Sequence, residues 1–252
     1  MSTKLEIRIE ASPAHIAAAA ARYLAALTRQ ASPAHLFNVA LSGGSTPKLL
    51  YDLLTSDPFR DEIPWHSIRF FFGDERWVPH TDPASNFKLA NDYLFQPLNI
   101  NRTLIYPMPT SGDPQDAATH YEATLRGAFN LQEGEVPTFD LIFLGMGDEG
   151  HTASLFPHTA VLHENVRLVA STYVPKLSAD RITLTPLTLT HAANTLFMVG
   201  GAAKAEALHE VLEGEYNPNE YPAQLLRNSK GKVTWLVDTD AAAQLQGNYP
   251  RP

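Results

Sequence analysis

The chain reads as an α/β protein with a mostly parallel sheet and helices on both faces. Two observations predict this. Apolar, strand-like runs alternate with helix-like runs along the whole sequence, the order that builds parallel sheets. The central apolar runs, above all "FDLIFLGMG" at 139–147, show little polar alternation, the mark of strands buried on both faces.

The elements follow in order. "LEIRIE" alternates as a strand. "SPAHIAAAAARYLAALTRQ" opens with Ser12-Pro13, a helix-entry signal, and continues as an alanine-rich helix. "LFNVAL" is a short strand ending at "SGGSTP". In "PKLLYDLLT" a helix is expected with Leu49, Leu50, Leu53 and Leu54 on one side, capped by Ser45 or Thr46 ahead of Pro47. "IRFFFG" is a strand running into the charged loop "DERWVP". "DPASNFKLANDYLF" reads as helix, "LIYPMP" as a short extended piece, and "DAATHYEATLRGAF" as helix. After the strand "FDLIFLGMG" come strands "RLVAST", "RITLT" and "NTLFMVG", the helix "GAAKAEALHEVL" and a last strand "KVTWLVD". Proline-containing stretches at 107–114 and 217–222 read as surface connections, so residues 1–252 are expected to form one domain.

Composition excludes several functions. The net charge is −8, from 19 basic and 27 acidic residues, and no basic run occurs. Nucleic acid and anionic membrane are bound through clustered Lys and Arg, so neither is an expected partner. An anionic ligand would need a few cations concentrated at one place. The absence of cysteine rules out disulfides, thiolate catalysis and cysteine-held metals, and fits a cytoplasmic location. The alanine-rich N-terminal region carries Glu6, Arg8 and Glu10 where a secretory signal would be basic and then apolar. No apolar run approaches the ~20 residues that span a bilayer.

Three strands end in glycine and then polar residues, "LSGGSTP", "FFGDERW" and "FLGMGDEGH", and a fourth, "FMVGGAAK", ends in Gly200-Gly201 and meets a helix carrying Lys204. Ligands of open α/β sheets bind outside the carboxyl ends of the strands, so the four corners are expected to meet. Gly43, Gly44, Ser45 and Thr46 lead into a helix whose free N–H groups favour an anion. The spacing is neither a Walker loop nor a dinucleotide fingerprint, and an ordinary tight turn would look the same. Asp74, Glu75 and Arg76 are solvated loop charges or site residues, and Arg76 has the planar fork that grips phosphate or carboxylate. His151, beside Asp148 and Glu149, suits general-base work near neutral pH, with Glu149 holding one ring nitrogen. Lys204, at a helix start where a cation is unfavourable, makes sense if it shares an anion with that helix end, and Arg181 is a further candidate cation.

Taken together and in this order, these corners resemble the family of glucosamine-6-phosphate isomerases and 6-phosphogluconolactonases, on the lactonase side. The segments "LSGGSTPKLLYDLL", "FFGDERWVPHTDPASNFKLANDYL", "FLGMGDEGHTASLFPHT", "RITLTP" and "GGAAKAEAL" carry the resemblance over most of the chain. The deaminases of the family share a Gly-His corner but continue with an Ile-Ala-Phe-Asn-Glu-Pro-like run. This chain has "TASLFP" there and lacks the glutamate their mechanism uses. Glu149 stands where the lactonases usually have aspartate, and His158 where they usually have glycine.

The resemblance implies a modified Rossmann-like fold, a phosphorylated sugar lactone as small-molecule substrate, and no metal or organic cofactor. It implies hydrolysis of 6-phospho-D-glucono-1,5-lactone in the oxidative pentose phosphate pathway. His151 would activate water, and Glu149 or Asp74 would fix its tautomer. Arg76 or glycine-corner N–H groups would meet the oxyanion. Lys204, Arg181 or Arg76, with the Gly43–Thr46 backbone, would hold the phosphate. Asn86 would contact a sugar hydroxyl or anchor its loop. A monomer or weak homo-oligomer is expected. The alternatives are a glucosamine-6-phosphate deaminase-like enzyme, which would release ammonia, and a catalytically inactive sugar-phosphate sensor, which would bind without turnover.

Overall fold

The computed structural model describes residues 5–32 and 35–252. Six strands form one wholly parallel sheet: β1 (Leu5–Glu10), β2 (Phe37–Leu41), β3 (Ile68–Phe72), β5 (Leu141–Leu144), β8 (Asn194–Val199) and β9 (Lys232–Asp238). They lie side by side in the order β1-β9-β8-β5-β2-β3. Every residue of β2 and β5 is buried, as their unbroken apolar runs require. The pleat of β3 shows how both faces are covered. Phe71 packs against Phe129 of α5 (Pro114–Phe129), with centroids 5.4 Å apart. Its neighbours Phe70 and Phe72 point the other way, to Phe95 at 5.2 Å and to Phe87 at 6.0 Å.

The helices form where the sequence signals them, with informative shifts. In α1 (Pro13–Gln30) the Ser12 hydroxyl caps the His15 N–H and Pro13 begins the helix. Ile16, Ala20 and Leu24 lie on its fully buried face. Helix α2 (Ser45–Leu54) starts two residues before Pro47. Its N-cap is Gly44, at φ 114°, so the expected Ser45 or Thr46 cap does not form and no side chain closes the helix end. Its inward face is Pro47, Leu50, Tyr51 and Leu54. Leu49 is 40% exposed, because the buried arc is centred on Leu54, between Leu50 and Tyr51, and at about 100° per residue Leu49 lies roughly 150° round the helix from that centre. After the short α3 (Phe59–Glu62), the stretch at 82–95 is only partly α-helical. Asp82 bonds the Ala84 N–H and Ser85 caps the Lys88 N–H, so a turn precedes α4 (Asn86–Ala90), and a π-turn follows at Asn91–Phe95. A short α6 (Pro186–Leu189) follows the last strand of the second sheet. Lys204 closes a 3₁₀ turn just ahead of α7 (Ala205–Leu212).

The charged "DER" after β3 is not a loop. It is β4 (Asp74–Arg76), and with β6 (Val169–Val174) and β7 (Ala179–Leu184) it makes a separate antiparallel sheet ordered β4-β7-β6. Three residues give too little periodicity to read as a strand. Gly73 ties the two sheets together, its N–H bonding Leu41 of β2 at 2.9 Å and its carbonyl accepting from Leu184 of β7 at 2.8 Å. No helix among the described residues is long and apolar enough to cross a membrane.

The revised face of α2 can be checked by mutation. Leu50→Ala should lower unfolding free energy by about 2–5 kcal/mol. Leu49→Ala should change it by no more than about 0.5 kcal/mol in the same denaturant titration.

Candidate active site

Parallel strands present their carboxyl ends at one edge. The four glycine corners follow β2, β3, β5 and β8, which are contiguous in the sheet, so the expectation that they meet is borne out. Chain direction across the sheet reverses between β2 and β5, since β3 lies on one side of β2 and β5, β8 and β9 on the other. That reversal is where open α/β sheets form their ligand crevice.

The loop after β5 folds on itself: the Gly147 N–H bonds the His151 carbonyl at 2.9 Å, and the Gly150 N–H bonds the Gly147 carbonyl at 3.0 Å. Gly150 sits at φ 74°. The imidazole of His151 lies directly over Gly147, where a Cβ would stand 2.0 Å from the ring, so only glycine fits there. On its other side the ring stacks on Phe156, with centroids 3.9 Å apart. Burial between these two surfaces pushes the His151 pKa below its ordinary value. The carboxylates of Glu149 and Asp74 oppose the shift, and Lys204 and Lys176 add to it. A histidine held neutral in this way is ready to take a proton. Its Nδ1 is buried and has no hydrogen-bond partner.

Neither expected tautomer-fixing group bonds the ring in this structure. Glu149 Oε2 lies 3.7 Å from Nδ1, beyond hydrogen-bond reach, while Glu149 Oε1 accepts from Lys176 at 3.1 Å. Burial acts to raise the Glu149 pKa, but Lys176 and His151 outweigh it and hold the carboxyl below the usual range. Asp74 spends its carboxylate on Ser154 Oγ at 2.6 Å and on Asn86 Nδ2 at 3.1 Å. Asp74 thus lies near the imidazole as a fixed charge, bonded to other partners.

Behind Asp74 is a buried anchor. Glu75, 1% exposed, accepts from the N–H groups of Arg76, Asn86 and Phe87 and from the Ser85 hydroxyl, all at 2.7–3.0 Å. Burial pushes its pKa up while these four donors pull it down. Asn86 is 2% exposed, with its amide pressed under Gly43, where a Cβ would stand 1.7 Å from Oδ1. Its Nδ2 bonds Asp74 and so ties the turn at 85–87 to β4, while its buried Oδ1 has no hydrogen-bond partner.

Arg76 and Arg181 are direct cross-strand neighbours on β4 and β7. Among the described residues their guanidiniums bond only backbone carbonyls, of Ala84 and Asp180. Burial and the like charge of Arg76 lower the Arg181 pKa, and the carboxylates of Asp74, Glu75 and Asp180 oppose the shift. Both line a cavity of about 270 Å³ together with His151, Asp74, Glu149, Ser154 and Lys176. A larger cavity of about 1020 Å³ adjoins it and shares Glu149, Phe156 and Lys176. His151 does not line the larger one, and its carboxylates (Asp148, Glu149, Glu164, Glu206 and Glu220) outnumber Arg167 and Lys176. The smaller cavity is the more cationic of the two, with Arg76, Arg181 and Lys176 against Asp74 and Glu149.

Gly43, Gly44, Ser45 and Thr46 stand at the neighbouring strand end but do not line the cavity, and neither does Lys204. Lys204 is bonded to Asp148 of the His151 loop and lowers that carboxyl's pKa. Three contributing residues had no role in the sequence reading. Ser154 and Phe156 lie within "TASLFP", whose pattern gives no hint of which side chain turns toward Asp74 or His151. Lys176 sits in a turn between two strands with no local signal at all. Among the described residues, no group of three or more His, Cys, Asp or Glu side chains is placed to hold a metal ion.

Residues 11–235 match the family described as "Glucosamine-6-phosphate isomerases/6-phosphogluconolactonase". The chain is 41% identical over 209 residues to a 6-phosphogluconolactonase of a Synechocystis strain, covering 82% of this chain and 84% of that one. It is 39% identical over 210 residues to a 6-phosphogluconolactonase of a Nostoc strain, covering 83% and 85%. The solved structure of a 6-phosphogluconolactonase from Trypanosoma cruzi superposes with a TM-score of 0.87 at 30% identity, covering 98% of this chain and 99% of that one.

Histidine-resolved NMR titration should place the His151 midpoint below ~6.5. Phe156→Ala, which opens the ring to water, should raise it. A midpoint at or above ~6.5 in the unmodified protein would contradict the burial described above.

Proposed function

The chain belongs to the family of glucosamine-6-phosphate isomerases and 6-phosphogluconolactonases, and on that footing we propose that it hydrolyses 6-phospho-D-glucono-1,5-lactone to 6-phospho-D-gluconate. One observation carries the reading: a pair of guanidiniums that, among the described residues, hydrogen-bond only backbone carbonyls shares a cavity with a histidine whose pKa burial lowers. An anionic ester is the substrate class that uses both.

The chemistry follows from the geometry. With Nδ1 buried, Nε2 is the nitrogen left to take a proton. A water gives that proton to Nε2 as its oxygen adds to C1, and the carbonyl oxygen becomes an oxyanion. Arg76 is placed to stabilise this charge. Losing one such donor typically lowers rate by about two to three orders of magnitude. The C1–O bond to the ring oxygen then breaks, and the protonated histidine returns its proton to that oxygen. Asp74, fixed by Ser154 and Asn86, favours the imidazolium formed between the two steps.

Phosphate binding falls to Arg181, with Lys204 and the α2 N-terminus at the neighbouring corners. Lys204 would exchange Asp148 for the substrate. Binding the remote phosphate positions C1 at the histidine. Through this reaction the protein would take its place in the oxidative pentose phosphate pathway.

The test is lactone hydrolysis at slightly acidic pH, where the spontaneous reaction is slow, with the lactone generated enzymatically from glucose 6-phosphate. The wild type should accelerate its loss, and His151→Ala should be folded and nearly inactive. Equal acceleration by both would remove His151 as the base. Arg181→Ala should raise KM by roughly tenfold or more, as expected for loss of a charge-assisted contact. Because the base acts when neutral and its pKa is lowered, kcat/KM should fall only as pH drops below ~6.5.

A further inference from the structure

Glu149 has two partners and one carboxylate. Its Oε1 accepts from Lys176, and its Oε2 stops 3.7 Å from His151 Nδ1, roughly 0.8 Å longer than an ordinary N–H···O bond. Nδ1 is buried with nothing else to bond. When Nε2 is the base, Nδ1 carries the hydrogen and lacks an acceptor. Lys176 belongs to the turn Pro175–Leu177 that joins β6 to β7, and Ser178 after it takes a left-handed conformation at φ 47°. That turn brings Lys176 over the cavity it shares with Arg76 and Arg181. The Lys176 side chain is 69% exposed, so its bond to Glu149 is made in water and exchanges easily.

Resting on the lactonase reading, we propose that Lys176 is a positioning residue: in the free protein it holds Glu149 away from His151, and on binding it moves to the substrate's phosphate and releases that carboxylate to Nδ1. The phosphate is the only charged group of the substrate and the natural competitor for an ammonium. Once released, Glu149 needs only a small side-chain rotation to accept from Nδ1–H. The bond fixes the tautomer with Nε2 free and stabilises the imidazolium that forms when water is deprotonated. The base thus reaches full strength only when substrate is present.

The other charges around the ring are Asp74, which favours its protonated form, and Lys204, which disfavours it. Arg76 and Arg181 face it across the cavity, and Phe156 and the Gly147 backbone cover its two faces. Lys204, Arg76 and Arg181 turn to the substrate's charges in the proposed reaction, and all three are the same in the four variants compared below.

A double-mutant cycle separates an effect relayed by Glu149 from the bare loss of a nearby positive charge. His151 is titrated by NMR in wild type, Lys176→Met, Glu149→Gln and the double variant. Lys176→Met should raise the His151 pKa by about one unit, a tenfold gain in proton affinity. In the Glu149→Gln background the same change should do little. Saturating 6-phosphogluconate should bring wild type up to the value of Lys176→Met. In turnover, Lys176→Met should raise KM several-fold with kcat nearly unchanged, and Lys176→Arg should restore KM. Equal shifts in both backgrounds, or a wild type that stays apart from Lys176→Met when saturated, would overturn the assignment. If wild type still hydrolyses the lactone in that case, only the role of Lys176 falls. A wild type that does not hydrolyse it removes the functional reading and this inference together.

Discussion

The common direction of six strands is the constraint on which the site depends. A parallel sheet cannot send one strand's carboxyl end to one edge and its neighbour's to the other. Once β8, β5, β2 and β3 pair side by side, the loops that follow them must meet, although they are up to about 160 residues apart in sequence. The reversal of winding between β2 and β5 opens the crevice. The small second sheet completes it. Between β3 and β4 there is the single residue Gly73, which bonds both sheets and sets Asp74 and Arg76 directly beyond β3.

Within that frame, a neutral histidine and a cationic cavity have to coexist. Nearby ammonium groups and burial both disfavour imidazolium, while Asp74 and Glu149 favour it. The balance lowers the pKa, which keeps the base available but weak. In the proposed reaction proton transfer needs the opposite, and the carboxylates would supply it. Asp74 is locked by Ser154 and Asn86, and behind it Glu75 gathers the turn at 85–87 through four donors. Glu149 bonds an exposed lysine, Lys176, whose side chain is 69% exposed. One carboxylate is therefore fixed and the other movable.

Much of this was legible in the sequence. The alternation of strands and helices, the burial of "FDLIFLGMG" and the meeting of the four corners follow from periodicity and from the geometry of parallel sheets. His151, Asp74, Arg76 and Arg181 announced themselves as polar residues at strand ends. What escaped was set by contacts across the chain. That "DER" is a strand depends on β7, more than 100 residues later. Lys176 acquires meaning only because a turn brings it to Glu149. The helix face of α2 was misread because leucine spacing alone does not say which side meets the sheet; Leu49 turns outward and Tyr51 inward. Asn86, polar and near the site in sequence, proved to be buried scaffold.

The central claim is that an anionic phosphate and a lactone carbonyl are handled by one cavity, with Arg181 recognising the first and His151 and Arg76 acting on the second. The most direct measurement is the ratio of kcat/KM for 6-phosphogluconolactone to that for the unphosphorylated glucono-1,5-lactone. Arg181, with Lys176 and Lys204, predicts a ratio of about a thousandfold or more, since charge-assisted contacts to the phosphate are realised only with the first substrate. Equal values for the two lactones would contradict the account, because the cationic side of the cavity would then contribute nothing to the reaction.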